Sequence, residues 1–375
     1  MIYKNGYIYS EADGFVFGSF SVENGRFASV APGECAQDGV DLAGAYVIPG
    51  LIDVHNHGNS GEDFSDGDYE GLKKMAAFLA KNGITSFAPA SMTLPYDVLA
   101  KAFACGARLK EEAPKGCSRL IGINMEGPFF SEKKKGAQNA AYLRDPDFEA
   151  FRKLYDGCGG LVRIVDLAPE RPGAVEFTKK AKELCTVSVA HTDATYEEAK
   201  AVFDAGATHV THLYNAMPPI HHRKPGVIGA ASETEGVVAE LICDGLHVHP
   251  SSIRMAFKLF PGRICLISDA LRCAGMPDGV YPFGGQELTL KNGEARMPDG
   301  ALAGSTATLY QCMRNVVAYG IPKEEAVRAA TIVPAREVGR EADVGSIEAG
   351  KRADFIVCDA DLQRRAVYME GEKIA

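Results

Sequence analysis

Between residues 47 and 268 the chain alternates short apolar runs with stretches of helical periodicity, and the apolar runs number eight. They cover residues 47–54, 84–90, 120–125, 161–167, 186–190, 208–211, 237–242 and 263–268. Each has the length and β-branched content of a buried strand. Between most of them lies a helix. Leu72, Met75, Ala76 and Leu79 follow the i, i+3, i+4, i+7 spacing of a buried helix face, and Thr195 with Glu198 forms a capping box before Ala199, Val202 and Phe203. Eight such units imply an α/β chain whose parallel strands close into a (β/α)8 TIM-like barrel rather than an open sheet.

Both ends of the chain read differently. Residues 20–22 and 27–30 flank Asn24-Gly25, a two-residue hairpin signal because both turn positions need positive φ. Near the other end, residues 353–358 are strand-like and Glu370-Gly371 suggests a further turn. Neither end carries a helical pattern. The economical arrangement is a small β-sandwich domain assembled from residues 1–48 and 346–375, with the barrel, residues 49–345, inserted between them.

Composition narrows the partners. With 46% hydrophobic and 24% charged residues, the 375-residue chain can bury a full core. Its formal net charge of −9 weighs against nucleic acid or an anionic membrane as a partner. An anionic small molecule would therefore need a local basic pocket. The opening residues lack the apolar segment of a secretion signal, and no run approaches the roughly 18 apolar residues of a membrane span. Ten cysteines stand singly, with no Cys-x-x-Cys pair, which reads as reduced core thiols in a cytoplasmic protein.

Six side chains able to hold a metal sit at or just past the ends of the apolar runs: His55, His57, Glu126, His191, His212 and Asp269. The carboxyl ends of barrel strands converge on one mouth, so residues far apart in sequence meet there. His55 and His57, two apart, project to the same side. Asp53 shares that parity one step deeper and is placed to orient a ligating imidazole. A lone buried histidine is more often a packed structural residue than a ligand. His209, on the opposite face from His212 by parity, fits that description. Ligand types at five strand ends do not.

Imidazole and oxygen donors suit Zn²⁺, Fe²⁺, Mn²⁺ or Co²⁺, and the absence of cysteine argues against a purely structural zinc. Six donors suffice for two ions sharing a bridging carboxylate. Such ions would polarise a carbonyl and acidify a bound water, while a nearby carboxylate takes up and returns the proton. The pattern points to metal-assisted hydrolysis. Residues 217–236, rich in Pro and Gly, form a long connection that carries His221, His222, Arg223 and Lys224. Loops of that length in a compact domain are usually functional, and an arginine supplies a bidentate fork for phosphate.

These residues lie in recognisable motifs. Pro49-Gly50-Leu51-Ile52-Asp53-Val54-His55-Asn56-His57-Gly58 resembles the opening motif of the amidohydrolase superfamily. Met125-Glu126-Gly127-Pro128-Phe129, His212-Leu213-Tyr214-Asn215-Ala216-Met217, Asp244-Gly245-Leu246-His247, Ser268-Asp269-Ala270 and Leu302-Ala303-Gly304-Ser305 follow in order. Together they resemble the N-acetylglucosamine-6-phosphate deacetylase family over essentially the whole chain.

The resemblance implies hydrolysis of the acetamide of N-acetyl-D-glucosamine 6-phosphate to glucosamine 6-phosphate and acetate, with one or two divalent metals per subunit, zinc foremost. It implies that Glu126, His191 and His212 hold the principal metal, that His55 and His57 admit a second, and that Asp269 is general base and then acid. Asn215 and Ala216 would contact the substrate. Arg223 would bind its phosphate from the neighbouring subunit of a homodimer. His247 would contact the sugar with Asp244, Gly245 and Leu246, and Leu302, Ala303 and Gly304 would shape the pocket near the acetyl group.

Ala137 and Gln138 stand where some relatives have a histidine. A glutamine donates a hydrogen bond but cannot become cationic, which leaves carbonyl polarisation to metal. The resemblance leaves the glucosamine and galactosamine isomers open. A cyclic-amide hydrolase of the dihydroorotase or hydantoinase type is disfavoured, because residues 161–167 offer no lysine to carboxylate. A scaffold that had lost its metals would lack ligands, and here all six are present.

Overall fold

The computed structural model describes all 375 residues. Eight parallel strands form its centre: Leu51–Asn56, Ile84–Pro89, Ile123–Phe129, Val162–Leu167, Thr186–Val189, His209–Val210, Val238–Ile242 and Ile264–Ile267. The first pairs with the second, and the third to the eighth pair in consecutive order. Parallel bridges from Ala90 to Asn124 and from Asn56 to Ala270 join the two runs. The ring is therefore closed, which leaves no sheet edge to be covered.

A helix follows each strand: Tyr69–Lys81, Tyr96–Glu112, Phe148–Gly157, Ala174–Ala181, Tyr196–Ala205, Gly226–Glu233, Pro250–Leu259 and Leu309–Ala318. Leu72, Met75, Ala76 and Leu79 are the buried face of the first, and the capping box of Thr195 and Glu198 starts the fifth. Inside the ring, Ile52, Val54, Ala88, Ile164, Ile242 and Ile267 pack against Ile332, Val333, Ala335 and Val338. The latter belong to the short helix Ile332–Glu337 and its end. That helix plugs the amino-terminal end of the barrel with apolar side chains and leaves the carboxyl-terminal end for chemistry.

Strands from both ends of the chain pair in one further sheet. Its order is Glu372–Lys373, Arg364–Met369, Phe355–Cys358, Tyr46–Pro49, Ile2–Ser10, Gly14–Glu23 and Arg26–Pro32, with Val40–Asp41 beside Ile2–Ser10. Both expected hairpin turns are present. Asn24 and Gly25 take φ of 50° and 74° between the paired Glu23 and Arg26, and Glu370 and Gly371 take 50° and 79° between Met369 and Glu372. Aromatic rings bind the two ends together: Tyr3 stacks on Phe20 at 4.9 Å and meets Phe355 edge-on at 5.0 Å.

Three expectations need correction. Residues 47–54 are not one strand, because Pro49 pairs with Phe355 in the terminal sheet while Leu51 starts the barrel. Gly50 is the turning point between them. The third barrel strand begins at Ile123 and runs on to Phe129, so Glu126 lies within it; Arg119–Leu120 is a separate short strand beside the second. Residues 217–236 are not all loop, since Gly226–Glu233 is helical.

A whole unit of the fold was not anticipated, beyond the plugging helix. A three-stranded antiparallel unit, Gly279–Phe283, Gln286–Lys291 and Glu294–Arg296, is inserted after the eighth barrel strand. The signal was in the sequence: Gly284-Gly285 and Asn292-Gly293 are two-residue turns with positive φ throughout.

Gly50 has no room for a side chain. A Cβ there would lie 2.2 Å from Thr85 Oγ1 and 2.5 Å from its Cγ2, while the Gly50 N–H is committed to the Asp354 carbonyl at 2.9 Å. Gly50→Ala should destabilise the chain by about 1–3 kcal/mol through overpacking, read as a lowered midpoint of thermal unfolding. Thr85→Ala in the same chain should restore part of the loss. An unchanged midpoint in Gly50→Ala would contradict this packing.

Candidate active site

Glu126 is the centre of the carboxyl-terminal mouth. Its Oε1 lies 3.1 Å from His191 Nε2, 3.3 Å from His212 Nε2 and 3.5 Å from His55 Nε2. Its Oε2 lies 3.3 Å from His57 Nε2. Asp269 Oδ1 completes the cluster, 3.3 Å from His57 Nε2 and 3.7 Å from His55 Nε2. Two potential metal-ligating groups therefore share one carboxylate: His55, His57 and Glu126 on one side, and Glu126, His191 and His212 on the other. All six expected ligands converge and are buried.

The hydrogen bonding says which atoms point inward. His55 Nδ1 faces Glu240 Oε2 at 2.9 Å, and His191 Nδ1 faces the Lys134 carbonyl at 2.9 Å. Both partners accept, so in the neutral ring each Nδ1 carries the proton and each Nε2 presents a lone pair. His191 Nε2 lies 3.1 Å from His212 Nε2, and His55 Nε2 has no hydrogen-bond partner. Lone pairs gathered this closely around a buried carboxylate favour a proton or a metal cation among them. The donor set of imidazole nitrogens and carboxylate oxygens fits a divalent metal ion.

Where protons rather than a metal ion lie among these groups, the imidazoles steady the acids instead. Burial alone would raise the Glu126 carboxyl, but His191, His212 and His55 hold it well below the ordinary carboxylate range. Asp269 behaves alike: burial raises it, while His57 and His55 bring it below its usual value. Both stand as anions at neutral pH.

Backbone strain concentrates here. His191, His212 and Asp269 take left-handed φ of 44°, 30° and 48°, each two residues beyond the end of its strand. A non-glycine residue in that region costs on the order of 1–3 kcal/mol, which persists only where the surroundings enforce it. At Asp269 the enforcement is visible. Its N–H donates to the His55 carbonyl at 2.9 Å, and its carbonyl accepts from the Ser305 N–H at 2.7 Å. Gly304 packs so tightly alongside that a Cβ would lie 2.4 Å from the Asp269 carbonyl oxygen.

A cavity of about 190 Å³ opens over the cluster. Its wall includes Ala137, Gln138, Asn215, Ala216, His247, Leu302, Ala303 and Gly304, all expected from the sequence, together with Asp269. Asp244, Gly245 and Leu246 are not in the wall, and Leu246 is exposed. Asp244 acts on His247 instead, with its Oδ2 2.7 Å from His247 Nδ1; His247 Nε2 lies 2.9 Å from the Ala303 carbonyl. Arg223 is exposed, lies outside the cavity wall and contacts His222 Nε2 at 2.9 Å.

Asp53 does not orient an imidazole. The first strand shifts register between Asp53 and Asn56, and the Asp53 carboxylate turns to Ser268, accepting from its Oγ at 2.6 Å. The residue that holds the imidazole is Glu240 on the seventh strand, which no local feature of the sequence marks. The Lys134 carbonyl, behind His191, and Phe283, in the cavity wall, are likewise unmarked in the sequence. Gln138 is spent on the carboxylate: its Nε2 donates to Glu126 Oε2 at 2.7 Å while its Oε1 accepts from the Thr93 N–H at 2.8 Å.

A profile of the amidohydrolase family matches residues 46–374. The chain belongs to the amidohydrolase family. Among its relatives, an N-acetylglucosamine-6-phosphate deacetylase of Bacillus subtilis is 35% identical over 372 residues, 96% of this chain and 91% of that one. An N-acetylgalactosamine-6-phosphate deacetylase of Escherichia coli O157:H7 is 35% identical over 328 residues, 87% of each. A solved structure of the Mycobacterium smegmatis N-acetyl-D-glucosamine-6-phosphate deacetylase, an Asp-to-Ala mutant in complex with N-acetyl-D-glucosamine-6-phosphate, superposes with a TM-score of 0.94 at 34% identity. It covers 100% of this chain and 99% of that one. Membership agrees with the buried His and Glu cluster at the barrel mouth.

A site that needs a cation to quiet its own repulsion should gain stability from one. After chelation and dialysis, addition of Zn²⁺ or Mn²⁺ at about 1,000 times its dissociation constant should stabilise the chain by about 4 kcal/mol. The check is a rise in the unfolding midpoint that Glu126→Ala abolishes. No metal-dependent shift would contradict the fit.

Proposed function

We propose that the chain hydrolyses the acetamide of N-acetyl-D-glucosamine 6-phosphate, releasing acetate and glucosamine 6-phosphate. The observation that carries this reading is the cavity wall, where Asn215, Ala216, His247 and Leu302 to Gly304 stand over a shared His and Glu cluster with Asp269 beside it. Relatives that bear this activity in their names match most of the chain. The galactosamine isomer is the second reading, favoured by the Escherichia coli relative at 35% identity.

Glu126, His191 and His212 would hold the principal divalent metal, and His55 and His57, with Glu126 and Asp269, a second; we favour zinc. When bound, a divalent cation polarises a carbonyl oxygen and acidifies water. The residues of the chain do the rest. Asp269, ionised and at the cavity floor, takes the proton from the attacking water and returns it to the departing amine. Gln138 and Glu240 keep the ligands aligned. Asn215 and Ala216 position the substrate, with Ala137 in the wall behind. His247, held by Asp244 across the turn of Gly245 and Leu246, exchanges the Ala303 carbonyl for a sugar hydroxyl. Leu302, Ala303 and Gly304 enclose the acetyl methyl.

The wall contains no Lys or Arg. A phosphate dianion must therefore meet its cation from outside, and we assign that role to Arg223 of the other subunit of a homodimer. No helix is long and apolar enough to cross a membrane, and we place the enzyme in the cytoplasm. We read the terminal sheet as a small separate β-sandwich domain, with the barrel inserted between its halves.

Acetate release from N-acetylated hexosamines, with and without the 6-phosphate, tests the substrate. Asp269→Asn should lower kcat by about 10²–10⁴ while the ion held by Glu126, His191 and His212 is retained; near-wild-type kcat would reject its role. Arg223→Ala should raise KM for phosphorylated sugars with little change in kcat, because the contact is made in ground and transition states alike. Unphosphorylated sugar proving the better substrate would overturn the phosphate assignment.

A further inference from the structure

Beneath the ligand cluster, alternating acids and imidazoles run toward the plugged end of the barrel. Glu240 Oε2 lies 2.9 Å from His55 Nδ1, Glu240 Oε1 lies 3.2 Å from His209 Nε2, and His209 Nδ1 lies 2.6 Å from Glu337 Oε2. The side chains of His55, Glu240 and His209 are fully buried, and that of Glu337 is 11% exposed. Glu337 is the last residue of the plugging helix. None of Glu240, His209 or Glu337 lines the substrate cavity.

A buried carboxylate is tolerated only when paired, and Glu240 has an imidazole on each side. The approach of His209 Nε2 is not aligned as a hydrogen bond, so it acts as a charge contact. The approach to His55 is a hydrogen bond, and Glu240 Oε2 also accepts from the His212 backbone N–H at 3.2 Å. His57 Nδ1 and His212 Nδ1 have no hydrogen-bond partner, and His191 is held by the Lys134 carbonyl on another element. His55 is thus the one imidazole of the cluster whose outer nitrogen is held by a carboxylate.

We propose that Glu240 is a positioning residue, backed by His209 and Glu337, that fixes His55 with its Nε2 lone pair toward Glu126 and so governs metal uptake by the His55, His57 and Glu126 group. The proposal rests on the metal-dependent reading above. A carboxylate behind a ligating histidine sets its tautomer and orientation, and its loss weakens metal binding by about 10- to 100-fold. Glu240 serves His55 in this way through its side chain and touches the other group only through a backbone amide. Its effect is therefore selective. His209 and Glu337 matter because, without them, Glu240 loses its second charge partner and is free to turn from His55.

The test uses the full chain, stripped of metal and titrated with Mn²⁺, with bound ion counted by mass spectrometry and free Mn²⁺ followed by electron paramagnetic resonance. The wild type should take two ions. Glu240→Gln should bind the first with wild-type affinity and the second about 10- to 100-fold more weakly, with the spin-coupled pair signal lost and the single-ion signal kept. Two ions bound with wild-type affinities in the variant would overturn the proposal, as would equal weakening of both. A wild type that binds no ion would instead overturn the metal-dependent reading itself. Should Glu240→Gln fail to fold, Glu337→Gln carries the test: a weaker second ion is expected, and an unchanged one refutes the relay.

Discussion

A single buried carboxylate, Glu126, stands within 3.5 Å of four imidazoles drawn from three strands or strand ends. The Nε2 atoms of His55 and His191 face this carboxylate as acceptors, so the cluster is held together by a cation among them. The rest of the molecule is arranged to hold them there. Gln138 grips one oxygen of Glu126, Glu240 holds the back of His55, and the Lys134 carbonyl holds the back of His191. Each contact converts a flexible side chain into a fixed one. A divalent ion then meets a site whose ordering has already been accomplished by folding.

The scaffold supplies that ordering through closure and through strain. Eight strands bonded in a ring fix the positions of Glu126, His191, His212 and Asp269 relative to one another. Left-handed backbone at three of these residues then turns their side chains off the strand alternation and into the mouth. Such conformations survive only when neighbouring packing enforces them. The plugging helix Ile332–Glu337 contributes at the opposite end, filling the barrel with Ile332 and Val333 while its last residue reaches His209.

Periodicity and ligand types made the barrel and its six metal-ligating candidates legible, because strand alternation and converging strand ends are repeated, local patterns. Hairpin chemistry identified the two terminal turns for the same reason. The failures have a common cause as well. Asp53 was assigned by parity, which a register shift between Asp53 and Asn56 defeats. Glu240 was overlooked because it sits inside an apolar run, where a lone acid carries no local signal of its partner 185 residues away. Lys134 contributes a carbonyl, and a backbone atom leaves no trace in side-chain identity. Arg223 shows the complementary case, a residue suggested by resemblance that lies outside the wall of the cavity over the cluster.

Anomalous diffraction from crystals grown with Zn²⁺, recorded on both sides of the zinc edge, tests whether the Glu126 cluster holds a metal ion. A strong peak is expected at about 2.0–2.2 Å from Glu126 Oε1, His191 Nε2 and His212 Nε2. Clean density for those side chains with no anomalous peak between them would contradict it.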